Sequence, residues 1–194
     1  MQNSFYSGLK FLAIALSSVS AFAVATPAKA LSFGADLSPD SINFIADTDN
    51  PDVQLNYAGQ VLLTEDEGNI FAVKAYYMGD LQASEALKGG LGVKLMHADV
   101  FDDSFQALGL GGFLDYTLPS FQPVSFRLEA YYSPDIVTSD YPENVTDITF
   151  TASYKAFENA LVYVGLRDIT VSADNPLLDG DVDSTAFIGF KIQR

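Results

Sequence analysis

Apolar and polar residues alternate along eight stretches of the chain, each about ten residues long. The stretches are 53–62, 70–79, 88–97, 107–116, 123–132, 146–155, 160–170 and 185–192. Alternation with a period of two places successive side chains on opposite faces of a β-strand. Because about ten residues let a tilted strand cross a bilayer, the pattern predicts an all-β fold, an antiparallel transmembrane β-barrel of eight strands.

Two shorter alternating segments, Leu31 to Leu37 and Ser41 to Asp47, precede the eight long ones. They predict either a short N-terminal hairpin over 31–47, which makes ten strands, or a plug inside the barrel. A hairpin adds two strands and leaves the direction of all later strands unchanged, so eight or ten strands are expected rather than nine.

The face that carries the charges separates a membrane barrel from a soluble one, because a soluble sheet turns its apolar face inward. Six basic residues lie on the small or polar face of their segments, with Glu129, Asp115 and several glycines: Lys74, Lys94, Arg127, Lys155, Arg167 and Lys191. Small residues in a narrow lumen leave room for long charged side chains that pair. Ion pairs are therefore expected inside the barrel among Lys74, Lys94, Arg127 and Glu129. A soluble periplasmic β-barrel or sandwich remains an alternative.

Tyrosines gather near the ends of several segments, at Tyr76-Tyr77, Tyr116, Tyr131-Tyr132 and Tyr154. Such clusters suit aromatic girdles at the two membrane interfaces, although cross-strand tyrosine pairs in an ordinary sheet produce the same pattern.

The connections divide into two sets with different lengths and charges. If residue 53 begins a strand that runs outward, the outer connections have 7, 9, 13 and 14 residues and the inner ones 8, 6 and 4. Long external loops and short periplasmic turns are the rule for bacterial barrels. The outer set holds thirteen acidic residues and the inner set three. The acidic outer loops include Glu65, Asp66, Glu67, Asp102, Asp103, Asp179, Asp181 and Asp183.

Residues 1–30 have the pattern of a secretory signal peptide. An uncharged apolar stretch, Phe11 to Ala25, follows Lys10, and Ala28-Lys29-Ala30 supplies a small-residue cleavage site. Cleavage after Ala30 leaves a barrel domain over 31–194 with 8 basic and 25 acidic residues, a net charge of −17. The expected location is the bacterial outer membrane. So negative a chain is a poor partner for nucleic acid.

Three runs of residues resemble the YfaZ family of small bacterial outer-membrane proteins. The most distinctive is Glu129-Ala130-Tyr131-Tyr132-Ser133-Pro134-Asp135, and the acidic hairpin Thr64-Glu65-Asp66-Glu67-Gly68-Asn69 is the second. The Asp-, Asn- and Gly-rich loop 174–181 is similar as well. The resemblance spans most of the chain after the signal and implies a location and a fold, with no associated reaction.

Few residues are suited to catalysis or to holding a cofactor. The chain has no Cys and a single His, which excludes thiolate and multi-His metal sites. His97 precedes Ala98-Asp99, but no Ser stands in a Gly-x-Ser-x-Gly context. Neither an enzyme, a cofactor nor a specific metal site is therefore expected, although a lipid-modifying activity at His97 is an alternative. Asp179, Asp181 and Asp183 alternate without matching a calcium-binding loop.

The leading hypothesis is a non-enzymatic outer-membrane barrel of structural or interaction type, with acidic external loops and an ion-paired lumen. An eight-stranded barrel is only wide enough for its own side chains, so the lumen is expected to be mostly closed. A narrow cation-preferring channel is the alternative, favoured more by ten strands than by eight. The expected partners are outer-membrane lipid and lipopolysaccharide, with divalent cations bridging the loops to the latter.

Overall fold

The structure, a computed structural model, describes residues 31–48, 54–65, 68–80, 86–100, 103–175 and 179–193. The signal segment 1–30 and the predicted loop residues Asp66, Glu67 and Asp102 lie outside the described residues. Among the described residues, no helix is long and apolar enough to cross a membrane.

Ten antiparallel strands form a closed barrel in which each strand pairs with its neighbours in sequence and β1 pairs with β10. The strands are β1 Ser32–Leu37, β2 Ser41–Asp47, β3 Leu55–Thr64, β4 Gly68–Asp80, β5 Leu87–Val100, β6 Asp103–Thr117, β7 Val124–Pro134, β8 Pro142–Phe157, β9 Ala160–Ala173 and β10 Gly180–Gln193. All eight long predicted segments are strands. The two short segments form a hairpin in the wall, so the alternative of an N-terminal plug is wrong.

The outer surface of the barrel is apolar. Every strand exposes at least one large apolar side chain: Phe33, Phe44, Leu55, Val73, Leu91, Leu110, Leu128, Phe150, Leu166 and Ile188. Of the predicted girdle tyrosines, Tyr77, Tyr116, Tyr132 and Tyr154 are exposed, whereas Tyr76 and Tyr131 are buried. A surface of this kind is costly in water and suited to lipid.

The interior has two layers of opposite character. We call the end that carries the β3–β4, β5–β6, β7–β8 and β9–β10 connections the outer end, and the other the inner end. Toward the outer end lies an apolar layer of twelve buried residues: Leu62, Ile70, Ala72, Met96, Ala98, Val100, Phe105, Ala107, Val145, Ile169, Val171 and Val182. Toward the inner end, polar and charged inward side chains are mixed with a small buried cluster of Ala58, Tyr76, Met78 and Phe113. The apolar layer therefore closes the lumen beneath the outer loops.

Tyr141, just before β8, covers the apolar layer, with its ring edge-on to Phe105 and the two centroids 5.5 Å apart. Burial raises the pKa of the Tyr141 hydroxyl to about 12, and the nearby Asp103 carboxylate adds to the increase. The hydroxyl therefore stays neutral at physiological pH and does not place a charge above the layer.

Inward glycines make room for aromatic rings. A methyl group built on Gly92 would lie 2.7 Å from Cβ of Tyr76, and one on Gly165 would meet the Phe187 ring and lie 2.6 Å from the Phe150 carbonyl oxygen. Gly90, Gly111 and Gly189 stand in the same relation to Phe113, Tyr131 and Tyr163. The sequence predicted that such glycines leave space for charged side chains; the space beside these five holds rings, joined at Gly189 by the Asp36 carboxylate.

Gly165→Ala is therefore expected to lower the free energy of unfolding by about 1–3 kcal/mol, the usual cost of overpacking. Gly79→Ala is the matched control, because a methyl group there meets nothing within 4 Å. Urea unfolding in lipid vesicles measures both variants. Equal unfolding midpoints for the two would contradict the packing described here.

Candidate functional site in the lumen

A polar cavity of about 300 Å³ occupies the inner half of the barrel. Its lining reaches Thr117, Leu161 and Lys191 at the inner end. No residue of the apolar layer lines it. The cavity is therefore a blind pocket beneath the apolar layer, reached from the inner end.

Two ion pairs cross the lumen from β4 and β5 to β7 and β8. Lys74 Nζ donates to Glu129 Oε1 at 2.5 Å, and both residues belong to the ion-pair cluster expected in the lumen. Lys94, also a predicted lumen residue, is buried and pairs with Asp147, with Gln60 Oε1 3.5 Å from its Nζ. Asp147 was missed, although its place in the alternation of β8 puts it on the inward face.

Arg127, the fourth predicted lumen residue, pairs along the wall and not with Glu129. Its Nε and Nη2 each donate to one carboxylate oxygen of Asp115, both at 2.8 Å. The guanidinium also lies 4.5 Å from the centroid of the Phe113 ring. A bidentate pair on an aromatic face is well oriented, so Arg127 is held against the wall and leaves the cavity open.

Among the residues that the structure describes, the most buried ion-pair group surrounds Arg167. Its Nε donates to Asp183 Oδ2 at 2.5 Å, and its Nη1 donates to Asp36 Oδ2 at 3.3 Å. Asn43 Nδ2 donates to the same oxygen of Asp36 at 2.7 Å, and the Tyr163 hydroxyl donates to the other oxygen. This group joins β1, β2, β9 and β10 and so ties the closing seam of the barrel.

Asp183 is a correction to the prediction, because it is buried and does not lie in an acidic outer loop. A β-bulge between Asp181 and Asp183 shifts the register of β10 against β9. As a result Val182 and Asp183, although adjacent in sequence, are both buried. Simple alternation does not reveal such an insertion.

The charges that line the cavity nearly balance. Among the described lining residues there are six basic ones (Lys74, Lys88, Lys94, Arg127, Arg167, Lys191) and five acidic ones (Asp36, Asp47, Asp115, Glu129, Asp147). Each acidic residue forms an ion pair with one of the basic residues, the fifth pair being Lys191 with Asp47 at 2.8 Å. Lys155 lies exposed near the end of β8. A balanced lining gives the cavity little preference for either sign of ion.

Four of the acids predicted in outer loops, Glu65, Asp103, Asp179 and Asp181, are exposed near the outer end. Glu65 and Asp179 lie in connections between strands, whereas Asp103 begins β6 and Asp181 lies in β10. In the described part of the chain, no group of three or more His, Asp or Glu side chains is arranged to hold a metal ion.

His97 lies on the outer wall, 45% exposed, with Nε2 3.6 Å from Asp99 Oδ1. Its cross-strand neighbours are Phe71 on β4 and Gln106 on β6. The nearest outward serine in the register, Ser104, faces Asp99. A hydrolytic triad needs the base beside the nucleophile, and the register puts a glutamine there.

Glu129→Ala is expected to lower the free energy of unfolding by about 2–3 kcal/mol, because it leaves the lumen ammonium of Lys74 without its partner. Glu158→Ala, in the exposed β8–β9 turn, is the control and should have little effect. A Lys74→Met, Glu129→Ala double variant should recover part of the loss in urea titrations. A full loss that persists in the double variant would contradict a role for the ion pair.

Comparisons with known proteins identify one matching family and two distantly similar solved structures. A search of curated proteins finds no match. Two solved structures, a KdgM porin and a KdgM porin in complex with disordered oligogalacturonate, align over 84% of this chain and 97% of theirs, at 14% identity and a TM-score of 0.44. The family model described as YfaZ precursor matches residues 10–193. The chain therefore belongs to the YfaZ family, as the resemblance in sequence predicted.

Proposed function

We propose that this chain is a small, non-enzymatic barrel of the bacterial outer membrane, with a structural or interaction role. The observation that carries the proposal is the arrangement of its two faces. Buried ion pairs such as Lys94 with Asp147 lie inside, while large apolar side chains such as Leu91, 79% exposed, lie outside. A soluble barrel has the opposite arrangement.

The lumen of this barrel is sealed toward the outside of the cell. The apolar layer lies beneath the outer loops, and a dry apolar section blocks ions. The balanced charges of the cavity also give no reason for cation selectivity. These features favour a closed barrel over the alternative of a narrow cation-preferring channel.

The exposed acidic residues of the outer loops provide the surface for interaction. In the outer membrane they face anionic lipopolysaccharide, and divalent cations shared between the two would offset the repulsion. Hard cations accept carboxylate oxygens readily. Diffuse bridging of this kind needs no preformed metal site.

Membrane fractionation combined with a detergent gel tests the location and the fold. We expect the chain in the outer-membrane fraction, and we expect unboiled samples to migrate differently from boiled ones because the folded barrel resists the detergent. Extraction into buffer without detergent, with no change on boiling, would contradict a membrane barrel.

A further inference from the structure

One side of the lumen cavity carries hydroxyl groups that do not bond to the rest of the barrel. Five serine and threonine residues of β6, β7 and β8 line the cavity: Thr117, Ser125, Thr149, Thr151 and Ser153. All five are half-buried, and in the part of the chain that the structure describes none of their hydroxyls has a protein hydrogen-bond partner. Each hydroxyl can donate one hydrogen bond and accept two. This side of the wall therefore offers neutral donors and acceptors to the interior of the cavity.

The strand register gathers these hydroxyls into one patch. Thr149, Thr151 and Ser153 occupy alternate positions on β8 and so share its inward face. Ser153 pairs directly with Ser125 on β7, and Ser125 pairs with Thr117 on β6. Directly opposed residues on one face have Cβ atoms about 5 Å apart. We call these five residues the hydroxyl patch.

The ring of Tyr163 borders the hydroxyl patch. Tyr163 pairs directly with Ser153 across β8 and β9 and lines the cavity. Its hydroxyl donates to Asp36, and its ring lies over Gly189, where a methyl group would be 2.3 Å from ring atom Cε2. The ring is therefore held beside the patch, where it supplies an apolar surface next to the hydroxyl groups.

The charged residues near the hydroxyl patch already have partners. The neighbours of Thr149 and Thr151 on β7 are Glu129 and Arg127, and both are engaged in the ion pairs described above. Lys88 is the one basic lining residue without an ion pair among the described side chains. In the register it lies three strand spacings from Thr151, about 14 Å along the wall. The patch itself therefore presents no unpaired charge of either sign.

We propose that the hydroxyl patch binds one neutral monosaccharide. The sugar exchanges hydrogen bonds with the hydroxyls of Thr149, Thr151 and Ser153, and the C–H face of its ring packs on Tyr163. A cavity of about 300 Å³ lies at the lower limit of ligand pockets, so it has room for one sugar ring and not for a longer chain. That the sugar enters from the periplasm rests on the proposed membrane location.

The absence of an unpaired charge in the described part of the patch selects against charged sugars. The carboxylate of a sugar acid finds no free cation beside Thr151, and the ammonium of an amino sugar finds no free carboxylate. Burying a charge without a partner costs far more than burying a hydroxyl that is hydrogen-bonded. A neutral sugar therefore fits the site better than either.

Ligand-observed NMR titration of the folded barrel, in a zwitterionic detergent without sugar groups, tests the proposal. Glucose, galactose and mannose are the neutral probes, and glucuronate and glucosamine are the charged ones. We expect at least one neutral sugar to bind with a dissociation constant in the millimolar range, which suits a few neutral hydrogen bonds. The two charged sugars should bind about tenfold more weakly than that neutral sugar.

A double variant with a matched control locates the site. Thr149→Val combined with Thr151→Val removes two hydroxyls, nearly preserves the shape of the side chains, and should weaken sugar binding about tenfold. Thr146→Val lies on the same strand but on its outward face, and should leave binding unchanged. The migration of unboiled samples on a detergent gel shows that each variant is folded.

No binding of any of the three neutral sugars well above the millimolar range would overturn the proposal, as would equal binding by the double variant and the wild type. Equal or tighter binding of glucuronate or glucosamine would overturn the assignment to a neutral ligand. These measurements are made in detergent and are independent of the proposed location, which fails instead if the chain extracts into buffer and does not change migration on boiling.

Discussion

Replacing Arg167 with Met is expected to lower the free energy of unfolding by about 3–5 kcal/mol, the cost of leaving buried charge without its partner. The guanidinium is buried between two buried carboxylates, Asp36 and Asp183. Without it, the two buried carboxylates lose the cation that lies between them. Urea unfolding in lipid vesicles measures the loss. It can be followed by tyrosine fluorescence, because the chain has no Trp, or by gel migration.

Two further variants separate lost charge from lost packing. Adding Asp183→Asn to Arg167→Met removes one of the two carboxylate charges that have lost their partner, and should restore part of the stability. Lys155→Met removes a basic residue from the same face of the strands at an exposed position, and should have little effect. A double variant no more stable than Arg167→Met alone would show that the ion pair is not the cause.

Phe105→Ala is expected to destabilise the barrel by a similar amount, about 3–5 kcal/mol, because it opens a cavity in the apolar layer. Phe105 is 1% exposed and packs edge-on against Tyr141. Its loss also removes the largest side chain from the section that closes the lumen. The same urea titration measures the change in stability.

Phe157→Ala is the control for Phe105→Ala. Phe157 is 73% exposed at the inner end of β8, so its removal leaves no cavity and should cost less than about 1 kcal/mol. Similar losses for the two phenylalanines would contradict the assignment of Phe105 to a packed interior layer.

Alternation along single segments was sufficient to predict most of the fold. It placed Lys74, Lys94, Arg127 and Glu129 on the inward face as one ion-pair cluster, whereas in the structure Glu129 pairs with Lys74, Lys94 pairs with Asp147 and Arg127 pairs with Asp115. The short segments over 31–47 could not be assigned, because six or seven residues fit a wall hairpin and a plug equally well.

The remaining features depend on how the strands align with one another. The pairing of Arg167 with Asp36 joins residues 131 positions apart. The apolar layer is likewise visible only when inward residues such as Leu62, Phe105 and Val171 are brought to one height by the register. The burial of Asp183 depends on a bulge, which alternation in a single segment does not show.

Planar-bilayer recording tests the sealed lumen most directly. The wild-type barrel is expected to give no conductance steps at any voltage, while a Leu62→Ala, Phe105→Ala double variant, which thins the apolar layer above the polar cavity, is expected to give them. Conductance steps from the wild-type barrel equal to those of the double variant would contradict a closed lumen.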